Sequence, residues 1–204
     1  MSKSSEIKAF VSKKIERLNS LPDNRRRAEL ARLRRGVGRA PGELPELWGA
    51  FLMELPSELR GYNEASQAEW AIYITLTLYA LHQQGRESSM NCEGRNLGAA
   101  VRELAEQLTP GDQDWTESSV LKRFNALVTA MQISEIGNHL RGIITLLRNA
   151  PYRAIPLDYA QLAVDLYNLQ CDNALYENIS ANVKLRWGQG LYRNTYKEKS
   201  KTEE

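Results

Sequence analysis

Residues 66–84, with the sequence SQAEWAIYITLTLYALHQQ, are the stretch that decides the fold. Ser66 and Glu69 have the Ser-x-x-Glu spacing of a capping box, which predicts that a helix begins here. Between Trp70 and Leu81 apolar residues fall on nearly every side of that helix, so we expect it to be the central and most buried one. The β-branched residues would also suit a strand, but the cap and the length favour a helix. The apolar run of 12 residues is too short to cross a bilayer.

Apolar residues spaced three and four apart predict further helices on both sides of this segment. Upstream, we expect one helix that begins at Ser4 or Ser5, and a second that begins at Asp23 or Asn24 and ends at Gly36. A Gly/Pro-rich elbow follows, and the sequence ELPELWGAFLMEL then predicts a short helix. Downstream, the same periodicity predicts helices near residues 97–108, 120–131, 136–147, 158–169 and 175–192. No run of alternating strands occurs, so the sequence predicts an all-α fold.

The loop around residues 85–96 divides the predicted helices into two sets. We expect a first helical bundle over residues 1–95, which carries an arginine cluster, and a second bundle over residues 96–195. Together the two small bundles would form a compact or an elongated helical protein. We expect the charged tail at residues 196–204 to be mobile.

Charge is distributed unevenly along a chain whose formal net charge is only +2. Residues 1–45 carry 12 Lys/Arg and 5 Asp/Glu, residues 46–120 carry 4 and 12, and residues 121–204 carry 11 and 8. A basic beginning, an acidic middle and a mildly basic end predict a polarised surface. Such a surface steers charged partners, although the total charge says little about them.

The composition excludes several kinds of site. Cys92 and Cys171 are far apart without a CxxC spacing, and His82 and His139 lie on separate predicted helices. We therefore expect no disulfide framework and no metal site, and we expect each histidine to lie at the surface or half-buried. Phosphate-binding glycine motifs are absent, so we predict no catalytic residue, no cofactor and no enzyme. The N-terminus lacks the apolar core of a signal peptide, which predicts a cytoplasmic protein.

Aromatic residues could stack on bases or bind a cofactor. In the predicted central helix, Trp70, Tyr73 and Tyr79 have Leu and Ile between them, which favours core packing instead. Three further tryptophans are also expected to be packing anchors: Trp48, Trp115 and Trp187.

Basic residues at helical spacing are the remaining candidates for a functional surface. We predict that they contact a nucleic-acid backbone: Arg32, Arg34 and Arg35 with Arg39 beside them, Lys122, Arg123, Arg141, Arg148, Arg186 and Arg193. Residues 118–154 contain five Lys/Arg and one acid, Glu135. The guanidinium group matches phosphate oxygens and keeps its charge at physiological pH. Helices that present arginine every one or two turns can follow a polyanion without reading bases.

Five blocks of this sequence stand out together: RAELARLRRGVGRAPGELPELW, EWAIYITLTLYALHQQ, NLGAAVREL, SVLKRFNALVTAMQISEIGNHLRGIITLLRNAPYRAIPLDYAQLAVDLYNL and VKLRWGQGLYR. In their order, spacing and character they resemble the CasB family, the small subunit of the type I-E CRISPR surveillance complex Cascade. The resemblance covers about residues 27–193.

The resemblance implies an all-helical, non-catalytic subunit of an RNA-guided antiviral ribonucleoprotein. It implies two copies packed head to tail beside other Cascade subunits, in contact with the guide RNA–target DNA heteroduplex and with the displaced single-stranded DNA of the R-loop. It implies no membrane partner. Since the guide RNA reads the sequence, such a subunit needs backbone contacts only. The acidic middle of the chain would then face solvent or a basic neighbour.

Other functions remain open from the sequence. A structural adaptor would use the arginines to meet acidic protein surfaces and would show no affinity for nucleic acid. A helix-turn-helix regulator would need a polar recognition helix, whereas the helix that follows Ile133 and Ser134 is mostly apolar.

Overall fold

The computed structural model describes residues 2–109, 114–171 and 178–193. These residues confirm the predicted all-α fold. They form nine α-helices: α1 Lys3–Asn19, α2 Asp23–Arg34, α3 Trp48–Leu52, α4 Gln67–His82, α5 Leu97–Leu108, α6 Ser119–Thr129, α7 Ile133–Arg148, α8 Tyr159–Leu169 and α9 Ile179–Tyr192. The single β-bridge in the described ranges joins Asn91 to Leu157.

α4 is the central helix, as its sequence predicts. The Ser66 hydroxyl accepts from the Glu69 N–H at 3.0 Å, and the Glu69 carboxylate accepts from the Ser66 N–H at 2.7 Å, so the capping box is complete. Apart from the half-buried Trp70, every residue between Ala68 and Ala80 is buried. α4 packs against α1, α2, α3, α7 and α8. A helix contacted on so many sides needs apolar residues around its whole circumference.

The buried apolar side chains form one contiguous cluster that extends from Ile7 to Leu191. α1 packs on α8, and α4 packs on both α7 and α8, so helices from the two predicted bundles contact each other. The boundary between bundles at residues 95 and 96 stays a prediction. The predicted tail at residues 196–204 lies outside the described residues.

The beginning of α1 differs from the predicted one. α1 begins earlier than expected, because the Ser2 hydroxyl accepts from the Ser5 N–H at 3.2 Å and caps the helix. α2 ends at Arg34 with Arg35 as its C-cap, so Gly36 follows the helix end directly, where a stop glycine is expected. The elbow after Arg34 is therefore not part of a regular helix, and Arg39 does not share a helical face with Arg32.

Two predicted side-chain environments are wrong. His82 is fully buried rather than surface or half-buried, because the last turn of α4 is still inside the core. Its Nδ1 lies 2.8 Å from the Tyr159 hydroxyl, and burial lowers its pKa from 6.5 to about 3. Trp48 is 46% exposed and is not a packing anchor, whereas Trp187 is buried as expected.

Candidate nucleic-acid interface

Three arginines meet at the C-terminal ends of α4 and α7. Arg34 and Arg148 each donate through Nη1 at 3.5 Å to carbonyls in the last turn of α4, those of Ala80 and Leu81 respectively. Arg86, from the loop after α4, donates to the carbonyl oxygen of Arg148 at the end of α7. The negative end of a helix dipole favours cations at such positions. The helix ends therefore stabilise guanidinium groups that have no carboxylate partner in the described part of the chain.

These contacts leave hydrogen-bonding capacity unused. A guanidinium group has five N–H donors, and Arg34 uses one of them in its hydrogen bond to the Ala80 carbonyl of α4. Arg148 additionally donates to Gln84 Oε1 at 2.8 Å. Burial, and then the positive charge of Arg148, lowers the pKa of Arg34. A bound phosphate would accept from the remaining donors and supply the negative charge that this cluster lacks.

The positive surface continues along α7 and onto α6. Arg141 is exposed and lies two turns before Arg148, about 10 Å away along the helix axis. Arg123 of α6 lies beside Gly142 of α7, where an added methyl group would be 3.8 Å from a guanidinium nitrogen of Arg123. Lys122 precedes Arg123, and both are exposed. Because α2 packs on α4, α4 on α7 and α7 on α6, α4 joins α2 to the two other helices that carry these residues.

We name six residues the cationic track: Arg34, Arg86, Lys122, Arg123, Arg141 and Arg148. None of them lies within ion-pair distance of a carboxylate in the described ranges, where eleven other ion pairs are present. Sequence reasoning missed Arg86. It lies alone in a loop, so neither helical periodicity nor a neighbouring basic residue could have marked it.

The arginines at the end of α2 and in the elbow lie in a different electrostatic environment. Three of them pair with glutamates: Arg32 with Glu29, Arg35 with Glu46 at 3.2 Å, and Arg39 with Glu43 at 3.5 Å. No acid separates these arginines in the sequence, but one turn of α2 and the fold of the elbow bring three acids to them. Arg32 also lines a cavity of about 630 Å³ between α1, α2 and α3, away from α7.

Arg186 belongs to α9, and Arg193 is the C-cap of that helix, whose main packing partners are α5 and α8. Arg186 pairs with Asp165, a carboxylate that is 2% exposed and that also accepts from Trp187 Nε1 at 2.6 Å. This arrangement explains Arg186 as a partner of a buried charge. Arg193 is exposed at the C-terminal end of α9. Arg153, another basic residue in an acid-poor stretch, pairs with Glu103 of α5 at 3.1 Å.

Across the described ranges no group of three or more His, Cys, Asp or Glu side chains could hold a metal ion. Among the helices in these ranges, none has the length and apolar character needed to span a membrane.

Comparisons with known proteins agree on one family. The family model for the CRISPR-associated protein Cse2 matches residues 29–192. The crystal structure of CasB from Thermobifida fusca is similar to this chain with a TM-score of 0.71 and 32% sequence identity, over 92% of this chain and 98% of that one. A search of curated protein sequences found no match. The family match covers most of the chain and confirms the resemblance drawn from the sequence blocks. The chain therefore belongs to the Cse2 family of CRISPR-associated proteins, also named CasB.

Proposed function

We propose that this chain is a non-catalytic subunit of the RNA-guided complex Cascade and that its cationic track binds a nucleic-acid backbone. In this role it would stabilise the guide–target duplex and the displaced DNA strand of the R-loop during antiviral defence. Membership of the Cse2 family supports the role as a Cascade subunit. The other parts of the proposal, which include a second copy of the chain, neighbouring subunits and a cytoplasmic location, extend from that role.

The observation that carries the proposal is that the cationic track, with residues on α2, α6, α7 and the loop after α4, has no carboxylate paired to it in the described ranges. Two arginines with exposed side chains lie on one side of it, Arg123 and Arg141, and three helix-anchored guanidinium groups lie on the other. Phosphates repeat along any strand whatever its sequence, so a row of fixed cations binds the strand by its backbone. A subunit that does not read bases suits an assembly in which the guide RNA does.

The test is a charge reversal in the assembled complex. Arg123→Glu and Arg141→Glu are chosen together because both side chains are exposed and neither supports a helix end. We expect the double variant to assemble into Cascade and to release bound target DNA faster than the unmodified complex, most strongly at raised salt.

The matched control is Arg32→Glu with Arg35→Glu, which reverses the same number of charges at the start of the elbow. Because these arginines already face glutamates, this control should retain target DNA like the unmodified complex. Equal retention by the track variant and the unmodified complex, across a salt series, would contradict the proposal.

A structural adaptor is the second candidate, and one observation favours it. The cavity of about 630 Å³ between α1, α2 and α3 includes Met53, which is 57% exposed, among its lining residues. Exposed apolar area of this kind suits a protein partner. An adaptor predicts that the isolated protein has no affinity for single-stranded DNA even at low salt, so an electrophoretic shift in a salt series separates the two candidates.

A further inference from the structure

A small pocket opens beside the cationic track, between the elbow, α4 and the first turns of α7. Its volume is about 200 Å³. The floor consists of buried side chains of α4, with Tyr73, Ile74 and Thr77 among them, and the half-buried Trp70 lines one wall. The mouth is polar, since exposed Ser134 and Asn138 of α7 and the exposed, ion-paired Arg39 and Glu43 of the elbow line the pocket. An apolar, aromatic-lined floor below a polar rim is the usual composition of a site for a flat heterocycle.

The pocket and the track share an edge at Gly38. This residue has φ +80°, and a methyl group added there would lie 3.5 Å from an Arg141 guanidinium nitrogen and 3.9 Å from Asn138 Oδ1. The guanidinium of Arg141 and the amide of Asn138 therefore stand beside the same point of the elbow. A strand whose phosphate lies on Arg141 would have the attached nucleoside next to the mouth of the pocket.

The free volume depends on a second glycine, Gly137, in the wall contributed by α7. A methyl group added at Gly137 would lie 3.3 Å from Ile74 Cδ1, so any larger side chain would reach into the space above α4. The Tyr73 hydroxyl is already used, because it donates to the Gly36 carbonyl at 3.2 Å. The Asn138 side chain makes no hydrogen bond to another described residue, and it offers two donors and an acceptor to a base edge.

We infer that this pocket takes one unstacked base of the strand that lies on the cationic track. The inference rests on the proposed function and adds a second element to it: Arg141 holds a phosphate and the pocket holds the neighbouring base. The volume fits this occupant, since sites for whole drug-sized ligands have roughly 300–1,000 Å³. An amide that can donate and accept tolerates any base, so the pocket would add affinity without sequence preference.

The test varies the strand and the pocket together. The probes are two single-stranded oligodeoxynucleotides of equal length, one with ordinary bases and one with abasic residues throughout, so that their phosphates are identical. The pocket is blocked with Asn138→Trp, a change at an exposed position of α7. The control, Gln132→Trp, adds the same indole at the exposed position just before α7, outside the pocket lining.

The unmodified protein should bind the base-bearing strand at least about 5-fold more tightly than the abasic strand. Asn138→Trp should remove that preference and leave binding of the abasic strand unchanged, whereas Gln132→Trp should retain the preference. Equal binding of both strands by the unmodified protein would overturn the inference. So would a preference that survives Asn138→Trp or that is lost equally in Gln132→Trp.

Failure of the inference and failure of the proposed function give different results. If only the pocket is wrong, both strands bind equally and Arg141→Gln still weakens both. If neither strand binds the unmodified protein at low salt, the proposed function and this inference are overturned together. The comparison of two strands on the unmodified protein needs no variant, so a folding defect in Asn138→Trp cannot hide the answer.

Discussion

The elbow and the cationic track are built from the same residue type, yet they differ in what balances the charge. At the end of α2 and in the elbow, each of Arg32, Arg35 and Arg39 faces a glutamate. In the track the balance comes from helix ends and from solvent, because no carboxylate in the described part of the chain lies within ion-pair distance of its six residues. A basic sequence motif therefore does not by itself identify a binding surface. Whether such a motif is available for binding depends on whether the fold places carboxylates beside it.

Arg34 and Arg35 are adjacent in the sequence, yet only Arg35 pairs with a glutamate. Successive helical residues point about 100° apart, so one guanidinium reaches the end of α4 and the other reaches Glu46. In the folded protein the first remains free for an additional anion and the second already has one. The following predictions test what this difference does to stability and to DNA binding.

The largest expected effect is on stability. It compares Arg186, which pairs with a buried carboxylate, with Arg141, which has no carboxylate partner among the described residues. Arg186→Met removes the partner of the buried Asp165 carboxylate, and we expect a loss of about 3 kcal/mol in the free energy of unfolding. Arg141→Met should change it by less than about 0.5 kcal/mol, because its side chain is exposed and supports no buried charge. Urea denaturation of both variants measures the difference. Similar losses in the two variants would contradict the distinction drawn here.

A second effect concerns pH and the histidine under the track. Buried His82, whose pKa is further lowered by Arg148 and Arg86, titrates at about 3 in the folded protein and near 6.5 when unfolded. The unfolded chain therefore gains a proton as pH falls below 6.5, and the fold loses stability progressively until about pH 3. By pH 5 the loss from this group should be about 2 kcal/mol.

Urea denaturation at pH 7 and pH 5 checks this expectation. His82→Gln should remove most of the pH dependence in that window. The matched control is His139→Gln, which changes the other histidine of the chain and should leave the dependence in place. A dependence that is unaffected by His82→Gln would show that another group causes it.

The smallest expected effect is a gain in binding of single-stranded DNA when the glutamates beside the elbow arginines are neutralised. Glu43→Gln and Glu46→Gln remove the negative charges beside Arg39 and Arg35, while the new amide at position 43 would keep an oxygen to accept the Ala40 N–H that Glu43 now accepts at 2.7 Å. If carboxylates are what keep the elbow from binding, the double variant should bind single-stranded DNA more tightly. Its log–log salt slope should steepen by up to about 1.4, or 0.7 for each added phosphate contact. An unchanged slope would mean that the elbow is unavailable for another reason.

Most of the fold could be predicted from the sequence, because its signals are local. The Ser66 and Glu69 cap and the apolar circumference of α4 depend only on residues within one helix, as does the Asp158 cap of α8, whose carboxylate accepts from the Gln161 N–H at 2.8 Å. Predictions that needed tertiary packing had mixed outcomes: Trp187 is buried as expected, but His82 and Trp48 are not in the environments expected of them. The depth of His82 depends on Tyr159, which is 77 residues away in the sequence.

The candidate site was predictable only in part, for the same reason. The seven-residue interval of Arg141 and Arg148 places both on one side of α7, and sequence spacing shows that. The presence of Asp165 beside Arg186, or of Glu46 beside Arg35, depends on packing between elements and has no local signature. Arg86 reaches the end of α7 from a loop, so its part in the track is likewise a product of the fold.

The most direct test of the track is the salt dependence of single-stranded DNA binding by the isolated protein, measured for two matched double variants. Arg123→Gln with Arg141→Gln removes two charges from the track, and Arg32→Gln with Arg35→Gln removes two at the start of the elbow, where both side chains already pair with glutamates. We predict that the log–log slope falls in magnitude by about 1.4 in the first variant and stays at the unmodified value in the second. Equal slopes in the two variants, or a larger change in the elbow variant, would contradict the account.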